Sequence, residues 1–319
     1  MSNLDTPLTL EDQVTLMKTY VIFRQKTKMR RVLKKEGYFR VSRYGKYLLS
    51  YTPVLRSKPD QDLLLDLYDF DVALRVVFFK YTQKAELQIK NHIANAVSLK
   101  LNDPTFYLDS NSYTPSQGES DKIKRNRYKA KYPRFYQDLK KAENRLISKP
   151  HQYPELKDYR RGGPRYRKRI PAWTAFTYFD YGTIEHIYAY LRLDLKKEVL
   201  SYGYPNSPRK MSKLDTKNMD TWISAIRNLR NTCSHHNMLT GKTSSIVHLD
   251  KTFDSVTTLP NDTDLFSRMY ALKKVLDPVD SELLKHDLKK LIGKTKFNIY
   301  ILNILPQNWE TLYDNIHKF

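Results

Sequence analysis

From Leu65 to Leu99 no glycine or proline interrupts the chain, and Leu67, Phe70, Leu74, Val77, Phe78, Tyr81, Ala85, Ile89 and Ile93 recur at helical spacing. They form one apolar stripe, the mark of a long helix lying against a core. Glu86 sits inside this segment, where a glutamate faces solvent or pairs with an arginine and by itself says little about function. The same periodicity returns nearly throughout. "TLEDQVTLMK" opens with Thr9 and has Asp12 three residues on, a capping box with Asp for the usual Glu or Gln, and Leu10, Val14 and Met17 follow. Gly37 and Gly45 read as turns around Tyr38, Phe39, Tyr44 and Tyr47. A helix from about Asp215 offers Met219, Trp222, Ile223, Ile226 and Leu229 to a core. "DTDLFSRMYALKKVL" and "DPVDSELLKHDLKKLI" read as two more helices, the second with Asp277 as N-cap and Pro278 as its first residue. A short amphipathic helix follows Pro306. There is no internal repeat and no series of strands, so the fold class is all-α. The reading is one domain over residues 1–319, with a basic insertion at about 121–171 and a helical C-terminal extension at about 260–319.

No run of about 18 apolar residues is present to span a membrane. "MSNLDTPLTLEDQ" has neither the basic nor the apolar part of a secretory signal. The single cysteine, Cys233, allows no intramolecular disulfide. Together these lead us to expect a cytoplasmic protein without a membrane partner.

Charge points to the partner. The chain carries 56 Lys+Arg against 34 Asp+Glu, a net +22, which repels itself unless a polyanion is near. Nucleic acid is the expected polyanion. The excess is local: residues 121–171 hold 18 Lys+Arg and 5 Asp+Glu. Lys122, Lys124, Arg125, Arg127, Lys129, Lys131 and Arg134 fill the first part, and Arg160, Arg161, Arg165, Arg167, Lys168 and Arg169 the second. Prolines 133, 150, 154, 164 and 171 are expected to break this stretch, and six tyrosines are interleaved with the cations. Such a segment suits an RNA backbone and its bases; the plainer alternative is a solvated linker.

Chemistry concentrates in "IRNLRNTCSHHNML", residues 226–239. Cys233, His235 and His236 lack the ligand spacing of a zinc site and have no second cluster, so no metal and no other cofactor is expected. Cys233 lies in an apolar-leaning helix without an orienting third group and reads as a small core residue, not a nucleophile. RNA cleavage fits better. RNA carries its own nucleophile, the 2′-hydroxyl, and asks the protein for a base, an acid and positive charge on the phosphate. Histidine titrates near neutrality and serves the first two. Arginine offers a fixed fork of donors to the phosphate oxygens. Arg230, Asn231 and His235 supply these types within six residues, with His236 as the alternative acid–base. Positions five apart on a straight helix point about 140° apart. Arg230 and His235 therefore act together only if the helix bends, ends or meets a second copy.

The sequence resembles the abortive-infection Abi_2 family (AbiD/AbiF-type), a branch of the HEPN superfamily. The HEPN mark is an arginine, a polar residue, then a histidine after four to six intervening positions, and Arg230 to His235 matches it. "EGYFRVSRYGKYL" resembles the family's Gly-Tyr-Tyr-Arg-Leu-Ser-Gly-Tyr box, with Arg43 where glycine is common. "LYDFDVALRVVFFKYTQKAELQIKNHIA" resembles its Tyr-x-Phe-Asp-x-x-Leu-Arg helix, Glu86 included. "LTLEDQVTLMK", "AWTAFTYFDYGTIEHIYAYL", "WISAIRNLRNTCSHHNML" and "LPQNW" match further segments in order. Ser234 replaces a common alanine, and Met238 stands where a basic residue often follows the histidines. The resemblance implies a HEPN-type helical bundle and a metal-independent RNA endonuclease with a composite site in a homodimer. It also implies bacterial phage defence and restraint by a small noncoding RNA. Arg230 would stabilise the phosphate, His235 move the proton and Asn231 orient. The rivals are a non-catalytic RNA-binding protein and a DNA-binding regulator, for which no helix-turn-helix signature is seen.

Overall fold

The computed structural model describes residues 7–149, 151–159, 169–249 and 262–317. The described residues are all-helical. The helices are α1 (Leu10–Met17), α2 (Lys26–Glu36), α3 (Tyr38–Ser50), α4 (Thr52–Leu55), α5 (Gln61–Leu101), α6 (Lys122–Ser148), α7 (Ala172–Tyr178), α8 (Tyr181–Tyr190), α9 (Leu193–Gly203), α10 (Lys213–Ser234), α11 (Leu265–Val275), α12 (Pro278–Ile292) and α13 (Trp309–Asp314). Only two isolated bridges, Ile22 with Asp60 and Tyr113 with Leu191, break the helical pattern among the described residues.

α5 is the axis. At 41 residues it is about 60 Å long at 1.5 Å per residue. Asp60 caps its start by accepting the Leu63 N–H at 2.8 Å, and Asn102 ends it in the left-handed conformation. The stripe read from the sequence is the buried face: Leu67, Leu74, Phe78, Tyr81, Ala85 and Ile93 are fully buried. Each buried leucine, isoleucine or phenylalanine among them contributes about 1.5–3 kcal/mol relative to exposure. α10, α9, α7, α12, α11 and α3 pack around α5, so it touches nearly every other part of the fold.

α10 begins at a second capping box. Ser212 accepts the Asp215 N–H at 3.2 Å, Asp215 accepts the Ser212 N–H at 2.7 Å, and Arg209 grips the same carboxylate through two bonds of 2.6 and 2.7 Å. Met219, Trp222, Ile223, Ile226 and Leu229 face the core as expected, and Trp222 Nε1 donates to the His248 carbonyl at 2.8 Å. The Thr9–Asp12 and Asp277–Pro278 helix starts are also present.

Two local readings are corrected. Gly37 is a turn glycine, with φ +85° between α2 and α3, but Gly45 lies inside α3. A Cβ there would stand 2.9 Å from Tyr20 Cβ, so the glycine permits close approach and turns nothing. Pro133 does not break the basic segment: α6 runs through it from Lys122 to Ser148. One missing N–H and one crowded carbonyl cost about 3 kcal/mol, and the helix keeps its other bonds and a packed face.

Candidate functional site

The motif lies where α10 ends. The His235 N–H bonds the Asn231 carbonyl at 3.0 Å, the His236 N–H bonds Cys233 at 3.1 Å and the Asn237 N–H bonds Thr232 at 3.0 Å. With His236 left-handed at φ 55°, this is a Schellman ending in which histidine takes the position usually given to glycine. The helix therefore stops within the motif, and the fixed angular separation of a straight helix does not hold past Ser234. His235 and His236 are both exposed, and Arg230 and Asn231 are half-buried on the last turn.

Arg230 is held from α5. Its Nε stands 3.7 Å from Glu86 Oε2, and its Nη1 donates to Asn231 Oδ1 at 3.3 Å. Glu86 is fixed in turn by Lys90, 2.8 Å from its other oxygen, and Lys90 also donates to the Phe179 carbonyl at 2.8 Å. So the glutamate that said little in the sequence is a positioning partner of the motif arginine. Among the described residues, no hydrogen bond or ion pair joins Arg230 to either histidine, and the two histidine rings have no partner.

The chain leaving the motif is clamped by residues that sequence reasoning missed. Asp71, fully buried on α5, accepts the N–H groups of Leu239 at 3.0 Å and Thr240 at 2.8 Å. Its other oxygen accepts from Tyr44 at 2.7 Å and pairs with Arg75 one turn on. Arg75 also donates to Tyr44 Oη at 3.0 Å and reaches the Asn237 carbonyl at 3.4 Å. Burial and the adjacent Asp71 carboxylate hold the Tyr44 hydroxyl far above its ordinary value, so it acts as a neutral donor. The signal was the Asp and Arg of the Tyr-x-Phe-Asp-x-x-Leu-Arg resemblance, Asp71 and Arg75, four apart on α5 and given no role there.

Cys233 is buried, and burial pushes its thiol up to about 12, so the core reading holds. Native protein should resist a thiol reagent at pH 8 and label fully once unfolded, which a chromogenic disulfide exchange assay reads directly. From the free value of 9.0 up to about 12, the unfolded chain ionises and the folded chain does not. Cys233 therefore lowers stability as pH rises through that window.

The proposed nucleic-acid residues divide. Lys122, Lys124, Arg127, Lys129, Lys131 and Arg134 are exposed along α6, and Arg125 is half-buried beside them. Arg169 has a second role: its Nη1 pairs at 2.9 Å with Glu143, which is 1% exposed, while its own side chain stays 55% exposed. Arg160, Arg161, Arg165, Arg167 and Lys168 lie outside the described residues. The interleaved rings of α6 turn inward. Tyr132 and Tyr136 stack on each other and pack with Phe135 against Tyr113. These tyrosines, each partly buried, contribute to the packing of α6 on the rest of the fold. No group of three or more His, Cys, Asp or Glu side chains that could hold a metal ion occurs among the described residues, and no described helix is long and apolar enough to cross a membrane.

A family model described as Abi-like protein (Abi_2) matches residues 31–240, from within α2 to the loop clamped by Asp71. No curated protein and no solved structure matches the chain.

Proposed function

The chain belongs to the Abi-like protein family, which suggests a role in abortive infection, and from that premise we propose that it is a HEPN-type, metal-independent RNA endonuclease of bacterial phage defence. The observation that carries the reading is the exposed end of α10. There an arginine held by Glu86 stands five residues before an unpartnered histidine, on a backbone fixed by the Asp71 clamp. In the proposed reaction His235 takes the proton of the 2′-hydroxyl, which attacks the adjacent phosphorus. Arg230 meets the charge that gathers on the phosphate oxygens, and Asn231 steadies its guanidinium. The P–O5′ bond breaks, leaving a 2′,3′-cyclic phosphate and a 5′-hydroxyl. A second acid must protonate the leaving oxygen, and the histidine of a second copy can supply it.

What supports a two-copy site is the surface beside the motif. Val72, Val76 and Leu87 are 37%, 66% and 57% exposed on α5. At about 100° per residue they share one stripe, flanked on one side by Arg75 and Glu86. Those are the α5 residues that hold the motif, so a second copy on this stripe would bring two motifs together. The outward cations of α6 suit a small noncoding RNA that restrains the enzyme.

The test is cleavage of labelled RNA in EDTA by protein stripped of co-purifying RNA. Cyclic-phosphate and 5′-hydroxyl ends are expected; 3′-hydroxyl ends would sink the chemistry. The exposed α6 cations favour one second reading, a non-catalytic RNA-binding component. It predicts stable binding of a discrete RNA with no cleavage after stripping.

A further inference from the structure

A cavity of about 520 Å³ opens between α3 and the loop that leaves the motif. Arg43 and Lys46 enter it from α3, and Lys242 enters from the loop, with Tyr47 and Met238 as apolar walls. No ion pair to a carboxylate is formed by any of the three cations among the described residues. Asp71 approaches the same loop, but its oxygens are taken by Arg75, Tyr44 and two backbone N–H groups. Three basic residues thus line one concavity with no carboxylate paired to them; Arg43 also lies over the Phe39 ring at 5.4 Å and Lys46 over the Tyr20 ring at 5.6 Å.

We propose that this cavity is a phosphate subsite for the RNA strand being cut, holding a phosphodiester next to the scissile one. The proposal rests on the RNA endonuclease reading. Position supports it: Met238 comes three residues after His235, and Lys242 Nζ bonds the Thr232 hydroxyl of α10 at 2.9 Å. A phosphate held by Lys242 is therefore tied to the turn that carries Arg230 and His235. Electrostatics supports it as well. Burial, with Arg268 and Arg43 nearby, lowers the Lys242 ammonium below its ordinary range, the state an incoming anion would relieve.

Arg43 and Lys46 are exposed, so Arg43→Gln with Lys46→Gln removes two charges without touching the core or the Thr232 contact. The experiment measures binding of a fluorescent single-stranded RNA at several salt concentrations, in a His235→Ala background so that the RNA survives. It then measures KM and kcat with His235 restored. The double variant is expected to bind roughly tenfold more weakly, with the slope of log affinity against log salt smaller by about 0.7 for the one phosphate lost. KM should rise with kcat little changed, because a remote phosphate contact is shared by ground and transition states. Unchanged affinity, slope and KM, in a protein that does bind RNA, would overturn the subsite and leave the function standing. If the protein binds no RNA, calorimetry with inorganic phosphate decides. Phosphate binding lost in the double variant would keep an anion site and sink the RNA reading, and no phosphate binding would sink both.

Discussion

Arg230→Ala should lower RNA cleavage by at least about a thousandfold while changing RNA affinity only a few-fold, a difference of about 4 kcal/mol that appears only in the transition state. The reason is the placement of the guanidinium. Glu86 and Asn231 hold it half-exposed at the end of α10, so it is oriented before substrate arrives. Arg230→Lys should fail nearly as badly, because an ammonium lacks the planar fork that grips two phosphate oxygens. His235→Ala should lose about 10²–10⁴-fold, the range for a positioned acid or base. Val76→Glu tests the second copy separately. Val76 is exposed, so the fold should survive, but the variant should run as a monomer by light scattering and lose cleavage with Arg230 intact. Full activity in Arg230→Ala would remove the motif from the chemistry. Full activity in monomeric Val76→Glu would put the whole reaction in one copy.

The helices were legible because their signals are local. The stripe of α5, the capping boxes and the Asp277–Pro278 start lie within a turn or two of the residues they organise. The motif was legible as a set of residue types, and the termination of its helix was one of the outcomes its spacing allowed. What stayed hidden was long-range. Asp71 meets Leu239 and Thr240 across more than 160 positions, and Glu86 meets Arg230 across 144; nothing local pairs them. Composition left the arrangement open. A basic stretch with interleaved tyrosines read as one surface; in the structure Tyr132 and Tyr136 pack partly buried against Tyr113, while Lys122, Lys124, Arg127, Lys129, Lys131 and Arg134 are exposed. Arg169 is unremarkable in the sequence until Glu143 is seen buried beneath it.

Asp71→Ala should destabilise the protein by about 3–5 kcal/mol, because one change orphans four groups. Arg75 would keep a buried charge without its partner, Tyr44 would lose the acceptor for its hydroxyl, and the Leu239 and Thr240 N–H groups would lose theirs. Urea titration at neutral pH reads the loss as a lower midpoint at unchanged slope. The double variant Asp71→Leu with Arg75→Met separates the charge from the clamp. Replacing a buried ion pair by apolar side chains of similar volume is often neutral or better, so most of the stability should return. The two N–H groups beyond the motif would still lack their acceptor, and the loop that starts at His236 would be free to shift. Cleavage should therefore remain low in the double variant even where its urea midpoint recovers. Recovery of both together would mean that Asp71 serves the core alone and that the motif is positioned by Glu86 and the helix ending without it.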